Sequence, residues 1–134
     1  MKPEKPRILL VDDEVDFTGN LSIVLGRRGF EVESVADGLS ALSLIAARNY
    51  NVVVLDLKMP GMSGTQVLSE IKRFAPSTPV ILLTGHYSTT AEEEESLNSG
   101  VYAYLLKPCP ITRLLALIAA ACGAGAKSRA SCPL

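Results

Sequence analysis

Three short runs constrain this chain more than anything else in it: Arg7-Ile-Leu-Leu-Val11, Asn51-Val-Val-Val-Leu55 and Pro79-Val-Ile-Leu-Leu83. Each is apolar almost throughout and rich in branched side chains. A strand with one wet face alternates polar and apolar residues. A strand without that alternation is covered on both faces, as in a parallel sheet clad by helices. Two weaker runs, Glu31-Val-Glu-Ser-Val35 and Val101-Tyr-Ala-Tyr-Leu-Leu106, complete the set. The first of these does alternate, which places it at a sheet edge.

Between the runs lie helical stripes. Phe17, Leu21, Val24 and Leu25 recur at i, i+4, i+7, i+8 spacing. Leu39, Leu42, Ile45 and Ala46 make a second apolar face, Val67, Leu68, Ile71 and Phe74 a third, and Ile111, Leu114, Leu115 and Ile118 the last. Ser63-Gly-Thr-Gln66 reads as a capping box opening the third of these helices, and Thr89-Thr-Ala-Glu92 as a similar start. Gly29 and Gly100 stand where helices end, and Pro76 follows the third stripe. The segment 88–99 is the odd one. Only Ala91 and Leu97 anchor it, around a run from Glu92 to Glu95, so it should be a solvated helix of low stability.

Strict alternation of strand and helix gives five β–α units with right-handed crossovers. The expected class is α/β, three layers, doubly wound. A chain of 134 residues, 48% of them apolar, suits one such domain with one well-buried core. We expect the domain to occupy residues 1–122 and a flexible tail residues 123–134, which are mostly small and polar.

Charge and composition exclude several functions. The 13 basic and 14 acidic residues leave a net charge of −1, without the basic surplus of a nucleic-acid binder. No apolar run is long enough to span a membrane, and the charged start Met1-Lys-Pro-Glu-Lys-Pro-Arg7 is unlike a secretory signal. Cys109, Cys122 and Cys132 are odd in number and clustered late, which argues against a disulfide framework and for a reducing cytoplasm. His86 is the only histidine, so a multi-histidine metal site is excluded.

In open parallel sheets, ligands bind beyond the carboxyl ends of the strands. The first run ends in Asp12-Asp13-Glu14, the third in Asp56, the fourth in Thr84 and the fifth in Lys107-Pro108. Carboxylates, a hydroxyl and an ammonium therefore share one rim. Crowded carboxylates repel one another, and a hard divalent cation such as Mg2+, bound by a few carboxylates and water, relieves that repulsion. Taken singly, Asp12 and Asp13 could merely favour a helix N-terminus, and Asp56 could be a turn residue before Pro60-Gly61. Their joint placement carries the reading of a cation site beside a phosphoryl acceptor.

These residues resemble the receiver domains of two-component response regulators, of the chemotaxis-regulator type. The resemblance is carried by Ile8-Leu-Leu-Val-Asp-Asp-Glu14, Val54-Leu-Asp-Leu-Lys-Met-Pro-Gly-Met-Ser-Gly64, Leu82-Leu-Thr-Gly85 and Tyr104-Leu-Leu-Lys-Pro108, and spans Arg7 to Cys122. It implies a flavodoxin-like fold with a five-stranded parallel sheet in the order 2-1-3-4-5. It implies that Asp56 is the phosphoacceptor, Asp13 a direct Mg2+ ligand and Asp12 an acid acting mainly through metal-bound water. Asp56 and the backbone carbonyl of Lys58 would complete the metal site. Lys107 would pair with the phosphoryl oxygens, Thr84 would be the switch hydroxyl and Tyr104 the switch aromatic. The implied donor is a phosphohistidine on a sensor histidine kinase or phosphotransfer protein. The implied readout is a shift of the face made by segment 88–99, the fifth strand and the last helix, through which a protein effector binds or two copies could pair. Such a domain catalyses only its own phosphorylation and dephosphorylation, and touches neither nucleic acid nor membrane directly.

The sequence departs from the family pattern in places. Gly85 stands where alanine is common, Cys109-Pro110 where phenylalanine is, and the glutamate run replaces an apolar pattern. Lys58 and His86 occupy positions that tune dephosphorylation in the family, so an altered acyl-phosphate lifetime is expected. Three rivals compete. A phosphotransferase of the haloacid-dehalogenase type needs a second acid two residues after the nucleophile, where this chain has Lys58. A flavin domain would cradle phosphate on its first loop, which Asp12-Asp13-Glu14 would repel. A degenerate receiver would serve only as a docking surface. About a dozen residues follow the last helix, so we expect either a stand-alone receiver or one piece of a longer regulator or hybrid kinase with a fused output domain.

Overall fold

Five parallel strands form one sheet: β1 (Arg7–Val11), β2 (Glu31–Val35), β3 (Val52–Asp56), β4 (Val80–Thr84) and β5 (Ala103–Leu106), in the order β2-β1-β3-β4-β5. Four described helices clad it: α1 (Val15–Arg27), α2 (Gly38–Ala47), α3 (Gly64–Phe74) and α4 (Ile111–Gly125). This computed structural model describes residues 5–57, 62, 64–84, 101–107 and 109–125, and not the side chains of Thr65, Thr84 and Ala124. The expected fold class and strand order are those observed. The expected helix over 88–99, with Gly85, His86 and Gly100, lies outside the described residues.

The apolar runs behave as their lack of alternation demands. Successive residues of a strand point to opposite faces. Ile8 and Leu10 of β1, Val52 and Val54 of β3, and Ile81 and Leu83 of β4 therefore pack on one side, against Leu21 and Leu25 of α1 and Leu114, Leu115 and Ile118 of α4. Leu9, Val11, Val53, Leu55, Val80 and Leu82 pack on the other, against Ala41 and Ile45 of α2 and Val67, Leu68 and Ile71 of α3. The alternating run Glu31–Val35 is an edge strand, as expected, and an ion pair from Arg7 to Glu31 lies across its register with β1. Gly29 has φ 92° and its N–H donates to the Gly26 carbonyl, so the chain leaves α1 through the left-handed turn that its position predicts.

Two stripes differ from expectation. In α2 the buried residues are Gly38, Ala41 and Ile45, whereas Leu39 is 71% exposed and Ala46 is exposed. The inward face of α2 is small because α3 lies close; a Cβ on Gly38 would stand 2.5 Å from Val67 Cγ2. The expected stripe is therefore half right: Ile45 is buried and Leu42 packs against the core, but Leu39 and Ala46 face water. Phe74, counted in the third stripe, is 55% exposed at the end of α3. The last helix continues past Cys122 to Gly125.

Candidate functional site

Register builds the site. Val11 of β1 pairs with Leu55 of β3, so the residues that follow them, Asp12 and Asp56, emerge side by side at the carboxyl edge. Asp56 pairs with Leu83, and Thr84 with Leu106, which sets Thr84 and Lys107 at the same edge one strand and two strands away. Asp12 and Asp56 are 4% and 5% exposed, the only buried acids among the described residues.

Local backbone geometry holds Asp12 in place. Its N–H donates to the Val35 carbonyl at 3.0 Å, and its Oδ1 accepts from the Glu14 N–H at 2.9 Å. This turn closes the first strand and starts α1 at Glu14, whose backbone is extended and whose side chain makes no capping bond. Asp13 projects into solvent between them. Ligand oxygens of Asp12, Asp13 and Asp56 all lie within 4.8 Å of one another. Three hard oxygen donors this close suit a hard divalent cation, which asks for oxygen ligands and accepts water for the rest.

Lys107 enters the same space from the end of β5. Its Nζ donates to Asp12 Oδ2 and to Glu14 Oε1, both at 2.5 Å, and is 3.6 Å from Asp56 Oδ2. The ammonium also lies 4.7 Å from the centre of the Phe17 ring. Burial would push the Lys107 ammonium down, but the hydrogen bonds to Asp12 and Glu14 and the charges of Asp56 and Asp12 outweigh it, and the group is held above its ordinary value. Burial, against the nearby Lys107 charge, pushes the Cys109 thiol up, so the departure from the family's phenylalanine is a half-buried thiol that favours its neutral form.

The loop after β3 is closed by Gly64, whose N–H donates to the Leu57 carbonyl at 3.1 Å. A Cβ there would come 2.4 Å from Leu57 Cα, so only glycine allows this approach directly behind Asp56. Tyr104 is half-buried on β5, opposite Leu82 in register, and packs with the cluster under α2 and α3. Lys58 and the Thr84 side chain lie outside the described part of the structure. The structure thus brings Asp12, Asp13, Asp56 and Lys107 together, and places Tyr104 on the α2–α3 face of the same sheet. Two contacts of the site escaped sequence reading. Along the chain Glu14 belongs to the acidic cluster that ends the first strand and Phe17 to a helix's apolar stripe, and only the fold shows that both meet Lys107.

Residues 8–119 match the sequence profile of the response regulator receiver domain. The chain belongs to that family. Receiver domains are the phosphoryl-accepting signalling switches of two-component systems. The chain is 36% identical to the transcriptional regulatory protein ZraR of Klebsiella oxytoca over 114 residues, which is 85% of this chain and 26% of ZraR. It is likewise 36% identical to the transcriptional regulatory protein TcrA of Mycobacterium tuberculosis, over 85% of this chain and 45% of TcrA. It therefore spans between a quarter and a half of these two relatives. Among solved structures, a CheY-like receiver domain protein from Methanospirillum hungatei superposes with TM-score 0.88 at 31% identity, over 92% of this chain and 98% of that one. A response regulator from Burkholderia pseudomallei, solved with a phosphorylated aspartic acid, a calcium ion and citrate, superposes with TM-score 0.78 at 28% identity, over 85% of this chain and 66% of that one. None of the described helices of this receiver domain is long and apolar enough to cross a membrane.

Proposed function

We propose that Asp56 accepts a phosphoryl group from the phosphohistidine of a sensor histidine kinase or phosphotransfer protein, with Mg2+ held by Asp12, Asp13, Asp56 and the carbonyl of Lys58. The observation that carries this reading is a nearly buried carboxylate with two further carboxylates within 4.8 Å and an ammonium at 3.6 Å. A carboxylate oxygen of Asp56 attacks phosphorus as the P–N bond to the imidazole breaks. The ring nitrogen leaves with the bond's electron pair and takes up a proton, and an acyl phosphate remains. The cation, when bound, would offset charge on the phosphoryl oxygens. Lys107 supplies the protein's own positive charge there, and Thr84 donates to an oxygen that Asp56 did not have before.

The same reading gives Tyr104 the role of readout. Movement of Thr84 toward the phosphoryl group leaves room that a half-buried aromatic on β5 can fill, biasing the face formed by residues 88–99, β5 and α4 between two packings. Support comes from the Burkholderia pseudomallei relative, in which an aspartic acid is phosphorylated and a calcium ion is bound. A fused output domain or a separate protein effector then receives the signal, because the chain spans only part of relatives that are transcriptional regulators. We take the domain expected over residues 1–122 as the switch, with α4 running past that bound to Gly125, and the remainder of the chain as a tail or linker.

Acetyl phosphate with Mg2+ tests the central step. Wild type should gain the mass of one phosphoryl group, lost on chelation of the cation and absent in Asp56→Asn. Equal signals from wild type and Asp56→Asn would overturn the assignment.

A further inference from the structure

We propose that Glu14 is a positioning residue that holds the Lys107 ammonium off the Asp56 carboxylate in the unphosphorylated domain, so that an incoming phosphoryl group must win Lys107 from it. This rests on the reading of Asp56 as the phosphoacceptor.

An ammonium has three donors. Two of them are spent on Asp12 Oδ2 and Glu14 Oε1 at 2.5 Å, while Asp56 Oδ2 stands at 3.6 Å, beyond a hydrogen bond. The Lys107 side chain is only 11% exposed, and the Phe17 ring lies beside its charged end. Among the described residues the ammonium faces Asp12 and Glu14 on one side and Asp56 on the other.

The two holds differ in kind. Asp12 is 3% exposed at its side chain and its other oxygen is tied to the Glu14 N–H, so it cannot leave. Glu14 is 60% exposed at its side chain. It opens α1 as the N-cap residue, yet makes no capping bond, and its carboxylate turns toward Lys107 instead. A half-solvated ion pair of this kind is weak and easily exchanged for water or for a stronger anion. A phosphoryl group on Asp56 carries nearly two negative charges and several acceptor oxygens, so it outcompetes Glu14. Glu14 thus acts as a releasable catch that lowers the gain of the switch by a modest factor and leaves its chemistry intact.

The test compares the full 134-residue wild type, Glu14→Gln and Asp56→Asn in saturating Mg2+, titrated with beryllofluoride as a phosphoryl mimic. Glutamine keeps the shape and removes the charge, and the exposed site tolerates it. Glu14→Gln should bind beryllofluoride about two- to five-fold more tightly, the range set by the usual worth of an exposed ion pair. Its ligand-free Lys107 Cε and Nζ resonances should move toward those of the loaded wild type, a change that a purely structural role would not produce. Equal or weaker affinity, or unmoved Lys107 resonances, overturns the proposal while leaving Asp56 as the acceptor. Failure of the wild type itself to bind overturns the acceptor reading and the catch together.

Discussion

Lys107 Nζ lies 2.5 Å from Asp12 Oδ2 but 3.6 Å from Asp56 Oδ2. The site's own cation is thus bound to Asp12 and stands back from Asp56, the proposed acceptor. Among the described residues the site sets four carboxylates against one ammonium, and most of what can be tested about it follows from changing that excess of negative charge.

Removing Lys107 leaves two buried carboxylates facing each other. Breaking a fully buried ion pair costs about 3–5 kcal/mol. Exposed Asp13 and Glu14 let water reach this one, so Lys107→Met should lose about 1–3 kcal/mol in urea unfolding with a chelator present. Added Mg2+ should restore part of that loss, because a second cation takes over the neutralisation. The sign of the pH dependence follows from a folded ammonium held above its ordinary value of 10.5. Its contribution is complete below that value and is lost as pH rises through the raised one. The gap between wild type and Lys107→Met should therefore be flat through neutral pH and close only in strong alkali.

Asp13 is exposed, unlike Asp12 and Asp56, so its charge can be removed with little effect on folding. Asp13→Asn should unfold at the wild-type urea midpoint. Its Mg2+ affinity, measured by isothermal titration, should fall by about 10- to 100-fold, the order expected for one unit charge lost next to a dication in a solvent-screened site. Unchanged affinity would remove Asp13 from the metal set.

Gly64 touches backbone that cannot yield. A methyl group there would stand 2.4 Å from Leu57 Cα and 2.6 Å from its carbonyl oxygen. Gly64→Ala should cost about 1–3 kcal/mol by overpacking. It should also slow phosphorylation by acetyl phosphate, since Leu57 is joined directly to Asp56. A stable variant with wild-type phosphorylation kinetics would show that the loop accommodates the methyl group.

Tyr50 gives a second pH signature, at the opposite end of the sheet. Burial, with the hydrogen bond it donates to Glu33 and the Glu33 charge, holds its phenol well above the ordinary value of 10.0. The unfolded chain gives up this proton above 10.0 while the folded chain keeps it, so stability falls as pH rises past that point. The limiting slope is about 1.4 kcal/mol per pH unit. Tyr50→Phe should cost about 1–2 kcal/mol at neutral pH through the lost hydrogen bond to a charged group. Its urea midpoint should then fall less steeply than wild type in alkali.

Much of this molecule is legible along the chain. Runs such as Asn51-Val-Val-Val-Leu55 announce doubly covered strands, Glu31-Val-Glu-Ser-Val35 announces an edge, and Gly29 marks the end of α1. These signals are local, because burial on both faces and a left-handed turn each restrict which residues a few adjacent positions can hold. The acidic rim was legible for a related reason: polar residues that close apolar runs must come out at the carboxyl edge of a parallel sheet. The inward face of α2 was legible only in part: Ile45 and Leu42 pack inward as expected, but Gly38 and Ala41 also face inward where α3 approaches while Leu39 is left in water.

The electrostatics of the site were decided only in three dimensions. Sequence by itself determined that acids and a lysine would meet at one edge, since each follows its own strand. It could not determine that Lys107, from the far edge of the sheet, would reach past Asp56 to Asp12 and Glu14 and lie beside Phe17. That choice depends on the parallel register that sets Asp12 beside Asp56 and on the turn that aims Glu14 away from its own helix. Residues more than ninety positions apart interact here because the sheet order makes them neighbours, and partner choice among three nearby carboxylates is settled by distances of about an ångström.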